Sequence, residues 1–244
     1  MIDIHSHLVF DVDDGSASIE ESVNIIKQAI ENGVEAIVAT PHYLEPTYVS
    51  SKEENLKKIN EIKSKLLEDG INDFEIYLGN EVYITTEVLK LIKENKISKL
   101  NDSKYLLIEF PLQEEPLFID EVLFKLLSFG ITPIIAHPER YAYVKKGYNF
   151  LGNLLDKGCL LQVNACSILG QYGSKAQKLV KTLLKYDMVS FIASDNHKEN
   201  NIYPKFDEAF KKIEKIIGEE KLDELIDINP RKVIANQDII INEY

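Results

Sequence analysis

The chain has 244 residues, 28 basic against 40 acidic, a formal net charge of -12 and 45% hydrophobic side chains. This content excludes intrinsic disorder, and the length suffices for one large core, as in α/β barrels of roughly 250 residues. The acidic balance argues against nucleic acid or an anionic membrane as partner, since both need basic patches.

An anionic substrate stays open, because bound metal ions invert the local field. Two cysteines, Cys159 and Cys166, are too few for a disulfide framework and fit a reducing compartment. The opening MIDIHSHLVFDVDDG interrupts its apolar run with histidines and aspartates almost at once. Neither a secretory leader nor membrane insertion is expected, and the expected address is the cytoplasm.

In chain order, an apolar run at 2–4 precedes a helical period over 18–33, where Ser18 and Glu21 form a capping box and Gly33 marks the stop. A run at 36–40 is followed by a helical segment at 51–70, then runs at 74–78 and 105–109 and a helix at 115–130. Runs at 132–136 and 160–163, a helix at 173–185, a run at 189–193 and a helix at 204–218 complete the pattern. Each short run is mostly apolar on both faces, as a strand buried in a parallel sheet reads. Strand-then-helix repetition predicts a parallel α/β fold, closed as a barrel or open as a doubly wound sheet. No long linker or low-complexity stretch divides it, so residues 1–244 are expected to form a single domain.

The histidines favour the barrel. The chain has five, and all stand at strand ends: His5 and His7 after the first strand, His42 after the second, His137 after the fifth and His197 after the seventh. Acidic residues occupy matching places: Asp14, Glu81, Glu109 and Asp195. In a barrel that rim builds the active site, whereas an open sheet gathers its ligand at one switch point. One histidine at a strand end means little, but five out of five is not expected from independent placement. His-x-His on a strand sends both imidazoles to one face. Imidazoles and carboxylates without thiolate suit Mn, Fe or Zn rather than a closed structural zinc site. Nine donors exceed the needs of one ion and suggest two or three, bridged by carboxylates.

The segments MIDIHSHLVFDVDDG, ATPHY, GNEVY, LIEFP, ITPIIAHPERY, LQVNA and ASDNH resemble the polymerase-and-histidinol-phosphatase (PHP) superfamily. More closely, they resemble the manganese-dependent protein tyrosine phosphatases of bacterial capsule and exopolysaccharide loci (CpsB/CapC type). The similarity runs from residue 1 to NPRKVI at 229–234. It implies a distorted (β/α)7 TIM-like barrel with its metals at the C-terminal rim. His5, His7, Glu81 and Asp195 would hold a first ion; Glu81 would bridge to a second, completed by Glu109 and His137. Asp14, His42 and His197 would hold a third. Mn2+ is the implied ion, with Fe or Zn compatible. Arg140 in HPERY matches the family's phosphate-binding arginine. A second arginine of the family is missing here, and Lys198 or Lys205 is the available replacement. The implied substrate is a phosphotyrosine protein, a bacterial tyrosine-autokinase with a tyrosine-rich tail.

A cysteine nucleophile is excluded. That mechanism needs an arginine six residues on, and Cys166 is followed there by Tyr172, Cys159 by Ala165. Of the chain's two arginines, Arg231 is expected in a terminal helix. No secure general acid is visible, and a tyrosyl leaving group of pKa ~10 needs less protonation than an alkoxide. Asn164 is open between substrate contact and turn duty. Asp11 and Asp13 read as solvated loop charges, and Tyr43, Tyr83 and Tyr141 as packing residues or as a stacking surface for a substrate ring. The alternatives are a small-molecule phosphatase of the histidinol-phosphatase type and a non-catalytic metal-binding regulatory barrel.

Overall fold

The structure, a computed structural model, describes residues 1–144 and 149–239. Its strands are β1 (Ile2–Ser6), β2 (Ala36–Ala39), β3 (His42–Tyr43), β4 (Glu75–Leu78), β5 (Glu81–Tyr83), β6 (Tyr105–Glu109), β7 (Thr132–Ala136), β8 (Leu160–Asn164) and β9 (Phe191–Ala193). Every pairing is parallel, in the orders β1-β2-β4 and β3-β5-β6-β7-β8-β9. The short β3 and β5 prolong β2 and β4 towards the mouth. Pro41, which has no N–H for a ladder, separates the first pair, and Gly79–Asn80 the second. The ring closes between β9 and β1. Asp195 N donates to His5 O and His7 N to Asn196 O, both at 2.9 Å, and Ser6 bridges Asn196. The expected seven-stranded barrel is present, with two strands broken in the middle.

Alternation divides the core. Ile4, Val38, Leu107, Ile134, Leu160 and Phe191 fill the barrel interior. Their sequence neighbours face a larger outer layer against the helices. Each fully buried aliphatic side chain contributes about 1.5–3 kcal/mol, so both layers are needed for a single stable unit. Gly79 is required where it stands: a Cβ there would lie 2.5 Å from Leu100, which plugs the interior.

The helices are α1 (Ile19–Glu31), α2 (Lys52–Glu68), α3 (Val88–Lys93), α4 (Ile119–Ser128), α5 (Asn149–Asp156), α6 (Gly173–Lys185), α7 (Phe206–Ile217), α8 (Glu219–Asp223) and α9 (Asn229–Ile234). Ser18 caps α1 by accepting from Glu21 N at 3.2 Å, while Glu21 reaches back to Ala17 N. Ser51 caps α2 in the same way. The helix expected from 115 begins only at Ile119, because Pro116 biases Glu115 away from helical backbone. Helices α3 and α8 escape a reading by periodicity because each spans fewer than two turns. Arg231 lies in α9, paired with Asp227 and Glu35 at 2.7 Å, far from the histidines in role.

Candidate metal centre

The C-terminal ends of the strands bring the nine candidate donors together. His5 lies within β1 and His7 one residue beyond it; His42 opens β3, Glu81 opens β5 and Glu109 ends β6. His137 follows β7, and Asp195 and His197 follow β9. Two of these donors sit in left-handed backbone, His137 at φ 31° and Asp195 at φ 53°. Such backbone is costly for non-glycine residues and persists where the surroundings enforce it.

Simple alternation would not have aimed His5 correctly. Ile2 and Ile4 belong to the interior, so an ideal strand would turn His5 outward. The register of β1 against β2 shifts between Asp3 and Ser6, and this irregularity rephases the strand. His5 Nε2 then lies 3.2 Å from His7 Nε2, on the shared face that the His-x-His spacing predicts.

The donors form three overlapping groups whose atoms lie within 4.8 Å of one another. The groups are His7, Asp14, His42 and His197; His5, Glu81, His137 and Asp195; and His42, Glu81 and Glu109. Pair distances also bring together the sets implied by resemblance. His7 stacks on His197 at 3.9 Å, yet its Nε2 lies 3.2 Å from His5 Nε2 and 3.6 Å from Asp195 Oδ1, and His137 Nε2 lies 3.7 Å from Glu109 Oε1. Glu81 is the hub. Its Oε2 is 3.2 Å from His5 and His7 Nε2 and 3.1 Å from His42 Nδ1, and its Oε1 is 2.8 Å from His137 Nε2.

Glu81 Oε2 and Asp195 Oδ1 are buried with no hydrogen-bond partner among the described residues. A buried carboxylate oxygen ringed by imidazole nitrogens but accepting no aligned bond fits a divalent cation. The electrostatics agree. Burial alone would raise Glu81, yet the His5 and His42 charges hold it well below the usual carboxylate range. Asp195 is likewise held low against its burial, by His5 and His137. Glu109 goes the other way, pushed up to about 7 by burial and by the charge of Glu81. Burial would lower His5, but Glu81 and Asp195 outweigh it and raise it to about 9. His197 falls to about 4 through burial and the neighbouring His7.

Several residues act behind the donors. Asp13 is not the solvated charge expected from sequence. Its Oδ2 accepts from His7 Nδ1 and from His42 N, each at 2.8 Å, and its Oδ1 from Gly15 N. The loop packs this tightly because residue 15 is glycine: a Cβ there would meet His7 O at 2.3 Å. Asp11 does remain exposed. Tyr141 is fully buried and offers no surface to a substrate ring; its hydroxyl donates to Ala136 O and accepts from Phe110 N, tying together the ends of β6 and β7. Tyr43 is also buried, whereas Tyr83 is partly exposed. Asn164 faces Asp195 and Gln162 within the cluster. Arg140 sits at the opening, its side chain 25% exposed, with Nη1 2.8 Å from Asp195 Oδ2 and its guanidinium 4.9 Å from the Tyr172 ring. Lys198 donates to Gly15 O beside Asp14, while Lys205 turns to Gln171 at 3.0 Å. Burial pushes the Cys166 thiol up to about 11 and Cys159 up to about 12, so neither is a ready nucleophile.

Comparison with known proteins follows the same lines. Residues 1–235 match the model of the family described as capsular polysaccharide synthesis, CpsB/CapC. CapC of Staphylococcus aureus is 40% identical over 203 residues, covering 82% of this chain and 78% of its own. The tyrosine-protein phosphatase CpsB of Streptococcus pneumoniae is 36% identical over 245 residues, covering 97% and 99%. A crystal structure from work on YwqE of Bacillus subtilis and CpsB of S. pneumoniae, described as metal-dependent tyrosine phosphatases, superposes with a TM-score of 0.93. It is 29% identical and covers 100% of this chain and 98% of its own.

Proposed function

Because this chain belongs to the CpsB/CapC family of capsular polysaccharide synthesis, we propose that it is a metal-dependent phosphatase that removes phosphate from protein tyrosine. The observation that carries the reading is the buried hub of Glu81 and Asp195, whose unpartnered oxygens Oε2 and Oδ1 face the imidazoles of His5, His7, His42 and His197. We assign metal binding to His5, His7, Asp14, His42, Glu81, Glu109, His137, Asp195 and His197, and phosphate contact to Arg140. The donors come from residue 5 to residue 197, which supports one functional domain over 1–244.

The bound ions would supply Lewis acidity, lowering the pKa of a held water toward ~7 and neutralising phosphoryl oxygens. The chain's own residues do the rest. Glu81 and Asp195 place negative charge where two or three cations can share it. Asp13 and the backbone of Asp195 accept from Nδ1 of His7 and His197 and so turn each Nε2 to the centre. Arg140 stands at the exposed edge, where its remaining fork of donors suits a phosphoryl group. Lys198, held on the Asp14 loop, is the better placed of the two lysines for a second phosphate contact. The soft imidazole content favours Mn2+ over Mg2+. The proposed partner is a bacterial tyrosine-autokinase with a tyrosine-rich tail, met in the cytoplasm. Among the described residues no helix is long and apolar enough to cross a membrane.

The test is a paired assay on a phosphotyrosyl peptide and on histidinol phosphate. Manganese should support hydrolysis of the peptide far more than of the small ester, chelation should abolish it, and magnesium should restore less than manganese. Full activity after exhaustive chelation, or preference for histidinol phosphate, would overturn the reading.

Metal loading should also release protons. At pH 7 the metal-free protein holds a proton on His5, whose pKa is about 9, and part of one on Glu109, at about 7. Both must leave before the groups can ligate, so affinity should fall as pH falls. Calorimetric titration with manganese in buffers of different ionisation enthalpy reads the number; zero release at pH 7 would contradict this site.

A further inference from the structure

A glutamine and an asparagine stand at alternate positions of β8, in the sequence LLQVN. Alternation points both inward, towards His5 on one side and Asp195 on the other. His5, Gln162, Asn164 and Asp195 are all buried, none more than 2% exposed. Four polar groups sealed together in a barrel interior must satisfy one another.

We infer that Gln162 and Asn164 are positioning residues that fix which ring nitrogen His5 offers to the metal centre, through a hydrogen-bond chain whose direction Asp195 imposes. This rests on His5 being a ligand, as proposed above. The chain has only one consistent polarity. Asp195 Oδ2 lies 2.7 Å from the Asn164 amide, and an ionised carboxylate can only accept. Asn164 must therefore turn its NH2 to Asp195 and its oxygen away. That oxygen, 2.9 Å from the Gln162 amide, accepts from the Gln162 NH2. Gln162 is left presenting its own oxygen, 2.9 Å from His5 Nδ1. The proton that His5 keeps once a metal binds then belongs on Nδ1. Nε2, which faces Glu81 Oε2 at 3.2 Å and Asp195 Oδ1 at 3.4 Å, is the nitrogen that gives up its proton and offers the lone pair. Reversing any one amide would set oxygen against oxygen or NH2 against N–H in a buried space.

The same chain divides the work of Asp195. Its Oδ2 is occupied by Asn164 and Arg140, so Oδ1 remains for the cluster. His7 achieves the equivalent orientation in one step through Asp13, because that carboxylate reaches it directly. His5 has no carboxylate on its Nδ1 side among the described residues. The two amides carry the influence of Asp195 around to it.

Ring-nitrogen NMR of the zinc-loaded, histidine-labelled wild-type protein tests this without any variant. His5 should carry its proton on Nδ1 and bind zinc through Nε2. Zinc on Nδ1, with the proton on Nε2, would overturn the positioning role while leaving the metal centre standing. A His5 ring with no zinc-bound nitrogen would overturn both. As a second measurement, Gln162→Met keeps the volume and removes the acceptor. Zinc affinity by chelator competition should fall about 10- to 100-fold, the usual cost of losing a partner behind a ligand. The melting temperature of the metal-free protein should fall by a few degrees, because His5 Nδ1 and the Asn164 oxygen lose a buried partner, so affinity is read well below it on folded protein. Unchanged zinc affinity in a folded Gln162→Met protein would refute the proposal.

Discussion

Replacing Glu81 with alanine is expected to cost more activity than any other single substitution in the cluster. Its carboxylate lies within 3.2 Å of four imidazoles, so it is shared by more donors than any other group. Removing it subtracts one negative charge from the centre and leaves His5, raised to about 9 chiefly by this carboxylate and Asp195, without its main counter-ion. Metal ions contribute several kcal/mol of transition-state charge stabilisation. Losing ~4 kcal/mol at about 1.36 kcal/mol per tenfold corresponds to roughly 10³-fold in kcat. Elemental analysis should show reduced metal content, and circular dichroism a folded barrel, since both hydrophobic layers remain. Cys166→Ser is the control, and it should keep wild-type turnover. If the cysteine variant were inactive and Glu81→Ala active, the nucleophile would be the thiol after all.

Arg140→Ala is expected to lower turnover while the metals stay bound. The guanidinium contacts Asp195 only through Oδ2, which Asn164 also holds, so the free Oδ1 should keep its direction in the variant. What is lost is a preorganised cation at the opening, steadied by the Tyr172 ring. Loss of one such donor typically costs ~10²–10³ in kcat, about 3–4 kcal/mol. Arg140→Lys should recover part of this, because an ammonium keeps the charge but not the planar fork. An ordinary exposed ion pair would be worth about 0–1 kcal/mol and would leave turnover untouched. Wild-type kinetics in Arg140→Ala, with unchanged manganese content, would assign the residue to that lesser role.

The sequence by itself determined the barrel class, the five histidines at strand ends and the absence of a cysteine mechanism. Those features are local: alternation, helical period and spacing express themselves within a dozen residues, and Ser18, Glu21 and Gly33 behave as their chemistry requires. The tertiary structure decided what depends on ring closure. That His7 Nε2 reaches Glu81 and Asp195 while its ring stacks on His197 is set by how β9 meets β1, not by the His-x-His spacing. The shift in β1 that turns His5 inward leaves no trace in IDIHS, because it arises from pairing with β2. Asp13 looked like one more acid in an acidic loop until the Gly15 turn folded it onto His7. Gln162 stands 157 residues from His5 in sequence, and only the closed barrel makes them neighbours. A polar side chain inside an apolar parallel strand was its one visible signal; the partner that satisfies it belongs to the fold.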